Sequence, residues 1–488
     1  MSYGDLGTLA AAVLITGEIV LRIAALGIIP RNRKPTAGMA WLLVILFDPW
    51  IGFFFFLFFG SARVGKKRRA KQAEINLLIT ERTASVADPA VEASPLVTTF
   101  LHLNRTLGAL PPATAATVEL FPDYLDSMAA MTEAIKTAQT RVHVEFYISD
   151  LDDTTREFFQ ALADASGRGV KVRFLFDHLG SRKLPGHRAM LEYCTANGIE
   201  WYRMMPVRPL HGQWRRPDLR NHRKILVVDD QIAFCGSQNL VEAAYGNEKY
   251  QKMGRKWVDL MARVTGTTVA ALDAVFAGDW YTESGEMIDV KRAEPRGPVA
   301  ADAITDVTCQ VVPSGPGFPS ENNLRLFTSL LASATRRISI TSPYFIPDES
   351  LLYAITTAAQ RGVDVELFVN EQSDQFMVGH AQASYYDALL AAGVKILMYP
   401  PPLILHGKHF SIDDTVAVIG TSNMDLRSFA LNYEVCMMLL GSEAVTQLRQ
   451  VEDAYRSLCR PLTQEEWAMR PQRTRYVDTV MRLTAALQ

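Results

Sequence analysis

The chain carries two copies of a string that sets an imidazole, an ammonium group and a carboxylate at fixed spacing. Both copies have the pattern H-x-K-x-x-x-x-D, and their residues are His222, Lys224, Asp229, His406, Lys408 and Asp413. A turn of the type Gly-hydroxyl-x-Asn follows each copy and supplies Ser237 and Asn239 in the first, Thr421 and Asn423 in the second. A chain that builds the same cluster twice is predicted to assemble one site from two halves.

These groups suit transfer at a phosphodiester. One imidazole can attack phosphorus and form a covalent phospho-histidine, while the other protonates the leaving oxygen and then deprotonates the incoming one. The two imidazoles must then differ in protonation, so their pKa values must be pushed apart. Lys224 and Lys408 can supply positive charge for the phosphate oxygens, and the Ser, Thr and Asn side chains of the turns can donate hydrogen bonds. No Asp, Glu and His cluster at metal-ligand spacing accompanies them, so we predict no metal and no cofactor.

The region beyond residue 100 is an internal repeat of alternating strands and helices. The joint Arg168-Gly169-Val170 recurs as Arg361-Gly362-Val363, nearly two hundred residues later. A repeat of this length predicts two similar α/β domains, each with a mostly parallel sheet covered by helices, packed around one shared active site. The predicted divisions are a membrane anchor at 1–62, a basic segment and linker at 63–99, and domains at 100–300 and 301–488.

The first sixty residues contain two apolar runs, 7–30 and 39–60. Each is near the ~20 residues that a helix needs to cross a bilayer, so together they predict a membrane hairpin. Glu18 and Arg22 interrupt the first run at i, i+4 spacing and can pair on one helix face; alternatively, Arg22 reaches towards the membrane surface. The second run contains Asp48-Pro49, and because proline kinks a helix, this run either spans or re-enters the membrane.

A basic cluster follows the second run. Its members are Arg63, Lys66, Lys67, Arg68, Arg69 and Lys71. It outweighs the three cations between the runs, which by the positive-inside tendency predicts a cytoplasmic location for the C-terminal part. The cluster either attracts anionic lipid or only stops transfer of the chain.

The composition limits the class of partner. The 488 residues carry a formal net charge of −2, so recognition of an anion must be local, and a nucleic-acid substrate is disfavoured because the soluble part is not broadly basic. Five cysteines without a CxxC pair indicate reduced thiols rather than a disulfide framework or a zinc site.

The two halves differ in the segment that leads to each histidine. Gly198 lies 24 positions before His222, but Gly393 lies only 13 before His406. The extra residues fall in RMMPVRPLHGQWRRPDLRNHRK, where six arginines are mixed with large apolar side chains. Such a mixture suits a membrane interface, so we predict that Arg215 and Arg216 bind anionic phospholipid headgroups. The alternative is an ordinary surface loop.

The doubled string resembles the paired HKD motifs of the phospholipase D superfamily. Five longer strings are similar to bacterial cardiolipin synthases: AWLLVILFDPWIGFFFFLFFG at 40–60, HVEFYI at 143–148, RNHRKILVVD at 220–229, SPYFIPDE at 342–349 and GTSNMDLRSFALNYEV at 420–435. One departure is Gly236-Ser237, where many members have two glycines. Another is Val241-Glu242-Ala243-Ala244-Tyr245, where many have an acidic residue followed by Glu-Tyr.

The resemblance implies transfer of a phosphatidyl group from one phosphatidylglycerol to another at a bacterial inner membrane, giving cardiolipin and glycerol. It implies that His222 is the nucleophile and His406 the acid and base, an assignment that can be reversed. It also implies that Asp229 and Asp413 orient the imidazoles. The alternatives are a phospholipase D hydrolase, a transferase that uses another alcohol, a nuclease and a non-catalytic scaffold.

Overall fold

The protein is described by a computed structural model that covers residues 3–31, 35–60, 64–84, 86, 95–208, 210, 216–291 and 303–484. The chain forms two compact units, Met1–Arg63 and Val64–Gln488. Arg215 and the rest of 211–215 lie outside the described residues.

In its described residues, the first unit contains the helices α1 (Tyr3–Ile28), α2 (Pro35–Phe47) and α3 (Pro49–Phe59). Within α1, the 22 residues Gly7–Ile28 are long and apolar enough to cross a membrane. The prediction that Glu18 and Arg22 pair is confirmed, because Arg22 Nη1 lies 3.0 Å from Glu18 Oε2.

The second apolar run is not one continuous helix. It breaks at Asp48, whose carboxylate accepts the backbone N–H of Ile51 and so caps the start of α3. A Cβ on Gly52 would lie 2.8 Å from the Ile45 backbone, so α2 and α3 pack closely where this glycine lies. Each helix is shorter than the ~20 residues of a straight span. The predicted hairpin is therefore one helix of spanning length followed by a bent helix pair.

The second unit is built on a long mixed sheet with helices on its faces. Its strands in the described residues are β1 (Ala113–Phe121), β2 (Arg141–Phe146), β3 (Lys171–Asp177), β4 (Glu200–Met204), β5 (Arg220–Asn221), β6 (Lys224–Val228), β7 (Ile232–Gly236), β8 (Trp257–Val258), β9 (Met261–Gly266), β10 (Ile304–Ser314), β11 (Arg337–Thr341), β12 (Phe345–Ile346), β13 (Asp364–Asn370), β14 (Lys395–Tyr399), β15 (Ile404–Leu405), β16 (His409–Ile412), β17 (Val416–Gly420), β18 (Met424–Asp425), β19 (Asn432–Leu440) and β20 (Arg460–Leu462).

Its helices in the same residues are α4 (Lys66–Thr83), α5 (Pro95–Gly108), α6 (Tyr124–Lys136), α7 (Arg156–Gly167), α8 (His178–Ser181), α9 (His187–Ala196), α10 (Glu248–Lys252), α11 (Thr268–Ser284), α12 (Asn322–Ser333), α13 (Glu349–Gln360), α14 (Phe376–Ala383), α15 (Tyr386–Ala391), α16 (Leu426–Ala430), α17 (Ser442–Leu458), α18 (Gln464–Ala468) and α19 (Gln472–Arg482). Their apolar faces bury the strands: Phe158 on α7 and Phe174 on β3, for example, are both fully buried in one cluster.

The sheet repeats itself on either side of a central antiparallel pair, β10 and β1. Outward from this pair the order is β19, β17, β16, β11, β13, β14 on one side and β9, β7, β6, β2, β3, β4 on the other. The prediction of two similar α/β domains is confirmed, and their strands join in one sheet.

The predicted "mostly parallel" sheets are wrong in detail. Strands β2, β3 and β4 are parallel, as are β11, β13 and β14. The motif strands β6 and β16 are antiparallel to both of their neighbours. Tight hairpins connect β6 to β7 and β16 to β17, and a tight hairpin can join only antiparallel strands.

Candidate active site

Both motif histidines lie where strands from opposite halves meet. Strand β5 pairs in parallel with the start of β19, and β15 pairs in parallel with β8. At the end of each pair the histidine backbone N–H donates across the junction, from His222 to the Tyr433 carbonyl at 2.9 Å and from His406 to the Val258 carbonyl at 2.7 Å. These short pairs bring the two motifs into one site.

A carboxylate from the opposite half holds each imidazole. His222 Nδ1 lies 3.0 Å from Glu434 Oε2, and His406 Nδ1 lies 2.7 Å from Asp259 Oδ1. Glu434 belongs to the second half and Asp259 to the first, so the pairs are crossed. A carboxylate on Nδ1 fixes the tautomer and leaves Nε2 of each ring for chemistry.

The hydroxyl groups of the two turns hold these carboxylates. Ser237 Oγ donates to Asp259 at 2.6 Å, and Thr421 Oγ1 donates to Glu434 at 2.5 Å. Each hydroxyl also accepts a backbone N–H, from Leu260 and Val435 respectively. The hydroxyl protons are therefore committed to the carboxylates, and the prediction that they bind phosphate is replaced by a role in holding the imidazole partners.

The two turn asparagines differ. Asn239 accepts the backbone N–H of Ile148 at 3.1 Å and donates to the Tyr245 hydroxyl at 2.7 Å. Asn423 is buried, and its Oδ1 has no hydrogen-bond partner in the described part of the chain. Buried polar atoms are normally paired, so Asn423 is the better of the two candidates for a contact with substrate.

Asp229 and Asp413 do not contact the imidazoles. Both have positive φ, 52° and 49°, in the turn after the motif strand. Each accepts three successive backbone N–H groups, those of Gln139, Thr140 and Arg141 or those of Thr335, Arg336 and Arg337. The implied role in orienting the imidazoles is therefore wrong. These aspartates instead hydrogen-bond the hairpin after each motif strand to the start of the neighbouring strand.

The two motif lysines are buried next to the histidines. Lys224 Nζ donates to the carbonyl of His222 and Lys408 Nζ to that of His406, each at 2.6 Å. Burial, then the charge of Lys408, lowers the pKa of Lys224 to about 7. Burial lowers the pKa of Lys408 to about 8, although Asp259 opposes the change. A bound phosphodiester anion would favour their charged forms, as the predicted phosphate contacts require.

The two imidazoles are electrostatically unequal. Burial, followed by the charges of Lys224 and Lys408, lowers the pKa of His222 well below its ordinary value. Burial and Lys408 also lower the pKa of His406, but the Asp259 carboxylate opposes this shift. His222 is therefore the imidazole more strongly held in its neutral form.

Their carboxylate partners differ in the same sense. Burial raises the pKa of Glu434 to about 7, against the charge of Lys224. Burial also disfavours the charge on Asp259, yet the charge of His406 and its hydrogen bond hold the pKa of Asp259 below its ordinary value. The His406–Asp259 pair thus accommodates an imidazolium beside a carboxylate better than the His222–Glu434 pair does.

Each imidazole also has an aromatic neighbour at an equivalent place in the fold. The Tyr147 ring, just after β2, meets His222 edge to face with centroids 4.9 Å apart, and the Tyr344 ring, after β11, lies 6.4 Å from His406. The Tyr344 hydroxyl donates to Asp374 at 3.0 Å. Both tyrosines belong to strings on which the family resemblance rests.

The Arg-rich approach to His222 is only partly described. Arg216 donates from Nε to Asp218 at 2.7 Å, so its charge is partly neutralised. Arg203 and Arg208 come from the same segment, and with Arg182 they have no ion-pair partner among the described residues. These three cations and Arg220 surround His178, and burial followed by their charges lowers its pKa to about 4.

Sequence reasoning missed Asp259 and Glu434. Both are acidic residues within otherwise apolar stretches of sequence, Trp257-Val258-Asp259-Leu260-Met261 between β8 and β9, and Tyr433-Glu434-Val435-Cys436-Met437 in β19. The available signal was an acidic residue within a stretch that is otherwise apolar and therefore predicted to be buried. Buried carboxylates rarely lack a partner, so a residue of this kind is expected to contact a cation or a hydrogen-bond donor.

A doubled α/β fold in which two His-Lys motifs meet, each imidazole backed by a carboxylate, defines a phosphodiester enzyme of the phospholipase D type. A family model described as "Cardiolipin synthase, PLD-like domain" matches residues 131–280 and 327–454. A second model, "Phospholipase_D-nuclease N-terminal", matches residues 20–61.

Curated relatives match nearly the whole chain. The cardiolipin synthase of Geobacillus thermodenitrificans is 33% identical over 481 residues, covering 98% of this chain and 93% of the relative. Cardiolipin synthase A of Pectobacterium carotovorum is 31% identical over 480 residues, covering 96% and 97%. A phosphatidylserine synthase structure from Haemophilus influenzae has a TM-score of 0.60 at 14% identity, covers 80% of this chain and 100% of that one, and supports the fold alone.

The chain therefore belongs to the cardiolipin synthase family. It is a phosphatidyltransferase whose substrates are phospholipids. The N-terminal match and the apolar helix α1 indicate association with a membrane.

Proposed function

We propose that this enzyme joins two phosphatidylglycerol molecules into cardiolipin and glycerol through a covalent phospho-histidine. The observation that carries the proposal is the pair of crossed His–carboxylate contacts, whose electrostatic surroundings differ. Such inequality is what a two-step transfer needs, because one ring must begin neutral and the other protonated.

In the first step, Nε2 of neutral His222 attacks phosphorus. The bond from phosphorus to the headgroup glycerol oxygen breaks, and protonated His406 gives its proton to that oxygen. Lys224 and Lys408 balance the charge that develops on the non-bridging oxygens. The product of this step is a phosphatidyl group on His222 and free glycerol.

In the second step, His406 acts as a base. It takes the proton of the terminal headgroup hydroxyl on a second phosphatidylglycerol, and the oxygen attacks phosphorus. The phosphorus–nitrogen bond breaks and returns His222 to its neutral form. Asp259 stabilises the imidazolium that forms when His406 takes this proton, and it stabilises the same protonated form of His406 before the first step.

The preference for anionic phospholipid is proposed to come from the first half. Arg182 follows β3, Arg203 is the penultimate residue of β4 and Arg208 follows β4, so all three lie near the edge of the sheet from which Tyr147 reaches His222. The α8 turn that carries His178 packs on this ring: a Cβ on Gly180 would lie 2.7 Å from Tyr147 Cε2. We assign the phosphate of the incoming lipid to these three arginines, together with the predicted Arg215 and Arg216.

We further propose that the protein lies in a bacterial inner membrane with its second unit in the cytoplasm. The support is the excess of cations after the second apolar run over those between the runs. A cysteine placed at exposed Lys67 should react with a membrane-impermeant thiol reagent only after cells are opened. Labelling in intact cells would contradict this orientation.

Product analysis tests the function directly. The purified full-length protein is given phosphatidylglycerol alone, and the lipid and water-soluble products are identified. Cardiolipin and glycerol in equal amounts are expected. Phosphatidic acid and glycerol without cardiolipin would instead identify a hydrolase, and products that appear only after addition of serine or ethanolamine would identify another acceptor.

A further inference from the structure

The basic cluster that follows the apolar runs is not one uniform surface. Lys66 and Lys67 are exposed, as cations that face lipid headgroups would be, but Arg68 is only 4% exposed. Lys71 donates from Nζ to the carbonyls of Tyr281 and Thr282 in the last turn of α11, at 2.8 Å and 3.3 Å. Part of the cluster thus faces inward, and neither lipid attraction nor arrest of transfer accounts for it.

Arg68, on α4 of the second unit, contacts one buried aromatic ring. Its Nε donates to the Tyr433 hydroxyl at 3.2 Å, and its guanidinium carbon lies 5.0 Å from the centre of the ring. Its Nη1 pairs with Glu283, which also accepts the backbone N–H of Met205. The charge is therefore buried, paired and directed at Tyr433.

Tyr433 is fully buried and closely surrounded. A Cβ on Gly315 would lie 2.8 Å from Tyr433 Cδ1, and a Cβ on Gly317 would lie 2.8 Å from its hydroxyl oxygen. The guanidinium of Arg223 lies 5.3 Å from the centre of the same ring, and its Nε donates to the Glu434 carbonyl at 3.0 Å. Two arginines and two glycines thus fix the position of this side chain.

The Tyr433 backbone leads directly to the reactive imidazole. Its carbonyl accepts the backbone N–H of His222 at 2.9 Å, and the next residue is Glu434, whose carboxylate holds His222 Nδ1. A displacement of Tyr433 would therefore move both the main-chain and the side-chain contacts of His222 together.

We propose that Arg68 is a positioning residue for the His222–Glu434 pair. It acts through Tyr433. A residue of α4, the helix that follows the apolar helices in the sequence, therefore affects the position of the nucleophile. The inference rests on the proposed role of His222. Lysine cannot replace Arg68 in this role, because an ammonium group lacks the planar fork that pairs with Glu283 while it donates to the tyrosine.

The test compares Arg68→Ala, Arg68→Lys and Tyr433→Phe with a matched control, Lys67→Ala, which removes the adjacent exposed cation. All are made in the full chain in detergent micelles. For each, kcat and KM for phosphatidylglycerol, the rate of phospho-enzyme formation in a single turnover, and the thermal unfolding temperature are measured. Phospho-enzyme formation does not depend on which alcohol accepts the lipid, so it tests this inference even if cardiolipin is not the product.

We expect Arg68→Ala to lower kcat and the rate of phospho-enzyme formation by about tenfold or more, because residues that orient a functional side chain typically have effects of this size. KM should change less than twofold. Arg68→Lys should recover the unfolding temperature but not the rate. Tyr433→Phe, which keeps the ring, should lower the rate by a smaller factor and show no further loss when combined with Arg68→Lys. Lys67→Ala should stay within twofold of the unchanged protein.

Two results would overturn the proposal. In the first, the folded Arg68→Lys protein forms phospho-enzyme at the unchanged rate, which would reduce Arg68 to a structural ion pair. In the second, Tyr433→Phe and Arg68→Lys have fully additive effects, which would show that Arg68 does not act through the tyrosine. If Arg68→Ala does not fold, these two conservative variants still decide the matter.

Discussion

The two halves of the active site share a frame but differ in charge. Each supplies a His-Lys string, a turn hydroxyl and a tyrosine, and each lends its carboxylate to the other half. The carboxylate is Glu434 for His222 and Asp259 for His406, and burial raises the pKa of the first whereas His406 holds the second below its ordinary value. The repeat thus gives the two imidazoles equivalent positions, and the different carboxylates suit them to different roles, nucleophile and acid or base.

The edges of the sheet beside the site differ in the same way. Near the ends of β3 and β4 in the first half lie Arg182, Arg203 and Arg208, which have no ion-pair partner among the described residues. Beyond β13 of the second half lie Glu371, which pairs with Arg460, and Asp374, which accepts the Tyr344 hydroxyl. A lipid phosphate is accordingly expected on the first side, and the headgroup hydroxyls on the second.

Removal of either histidine should have the largest effect. His222→Ala and His406→Ala should each lower turnover by at least about 10³-fold, because the first variant lacks the nucleophile and the second lacks the general acid and base. The two variants should differ in one respect: only His406→Ala should retain a phosphatidyl group on the protein, detected with phosphorus-labelled lipid. His102→Ala, in an exposed histidine on α5, serves as the control. Label on His406 in the His222→Ala variant would reverse the assignment.

Replacement of the crossed carboxylates should come next, at about 10- to 100-fold in kcat. Asp259→Asn removes the charge that supports the pKa of His406, so that pKa should fall further. Because His406 must be protonated to act as the acid, the alkaline limb of the pH–rate profile should move to lower pH. Glu434→Gln should move it much less. Equal shifts in both variants would remove the distinction between the halves.

Substitution of the first-half arginines should have a smaller and selective effect. Arg203→Gln with Arg208→Gln should raise KM for cardiolipin formation about tenfold, the size of one lost charge-assisted hydrogen bond. Transfer to an uncharged short alcohol should stay within twofold, because that acceptor carries no phosphate. Arg188→Gln, at an exposed arginine on α9, is the control. Equal losses with both acceptors would place the arginines on the donor lipid instead.

The motif aspartates should affect stability more than chemistry. Asp229→Asn and Asp413→Asn should each cost about 1–2 kcal/mol of unfolding free energy, with less than tenfold loss of activity per folded molecule. Burial opposes the shift, but the backbone N–H groups lower the pKa of both carboxyls. Their contribution is therefore full above the unfolded pKa of about 4 and is lost as pH falls through the lowered value. Thermal unfolding between pH 7 and pH 3 measures it.

Much of the fold was predictable because the repeat is visible in the residues. The strand at β2, the helices α7 and α13 and the membrane-length helix α1 follow from local periodicity. The union of both halves in one sheet was not predictable, since the pairing of β10 with β1 joins segments about two hundred residues apart. No local pattern encodes such a contact.

The reactive residues were predictable by type and spacing, whereas their partners were not. His222 and His406 are prominent because the same string occurs twice. Asp259 and Glu434 reach the imidazoles only after each short strand pair crosses between the halves, so their roles depend on tertiary structure. Asp229 illustrates the converse: its place in the motif suggested catalysis, but its positive φ and backbone contacts give it a structural role.

The buried motif lysines make substrate binding a proton-linked event. Lys224, with a pKa of about 7, is divided between charged and neutral forms near neutral pH in the empty site. A phosphodiester anion favours the charged form, so each binding event draws a fraction of a proton from the surrounding solution. Affinity for lipid should therefore weaken as the pH rises past this value, even where both imidazoles remain in their working states. Occupancy by lipid is therefore expected to depend on the pH of the surrounding solution, which binding measured between about pH 6 and pH 8 would show.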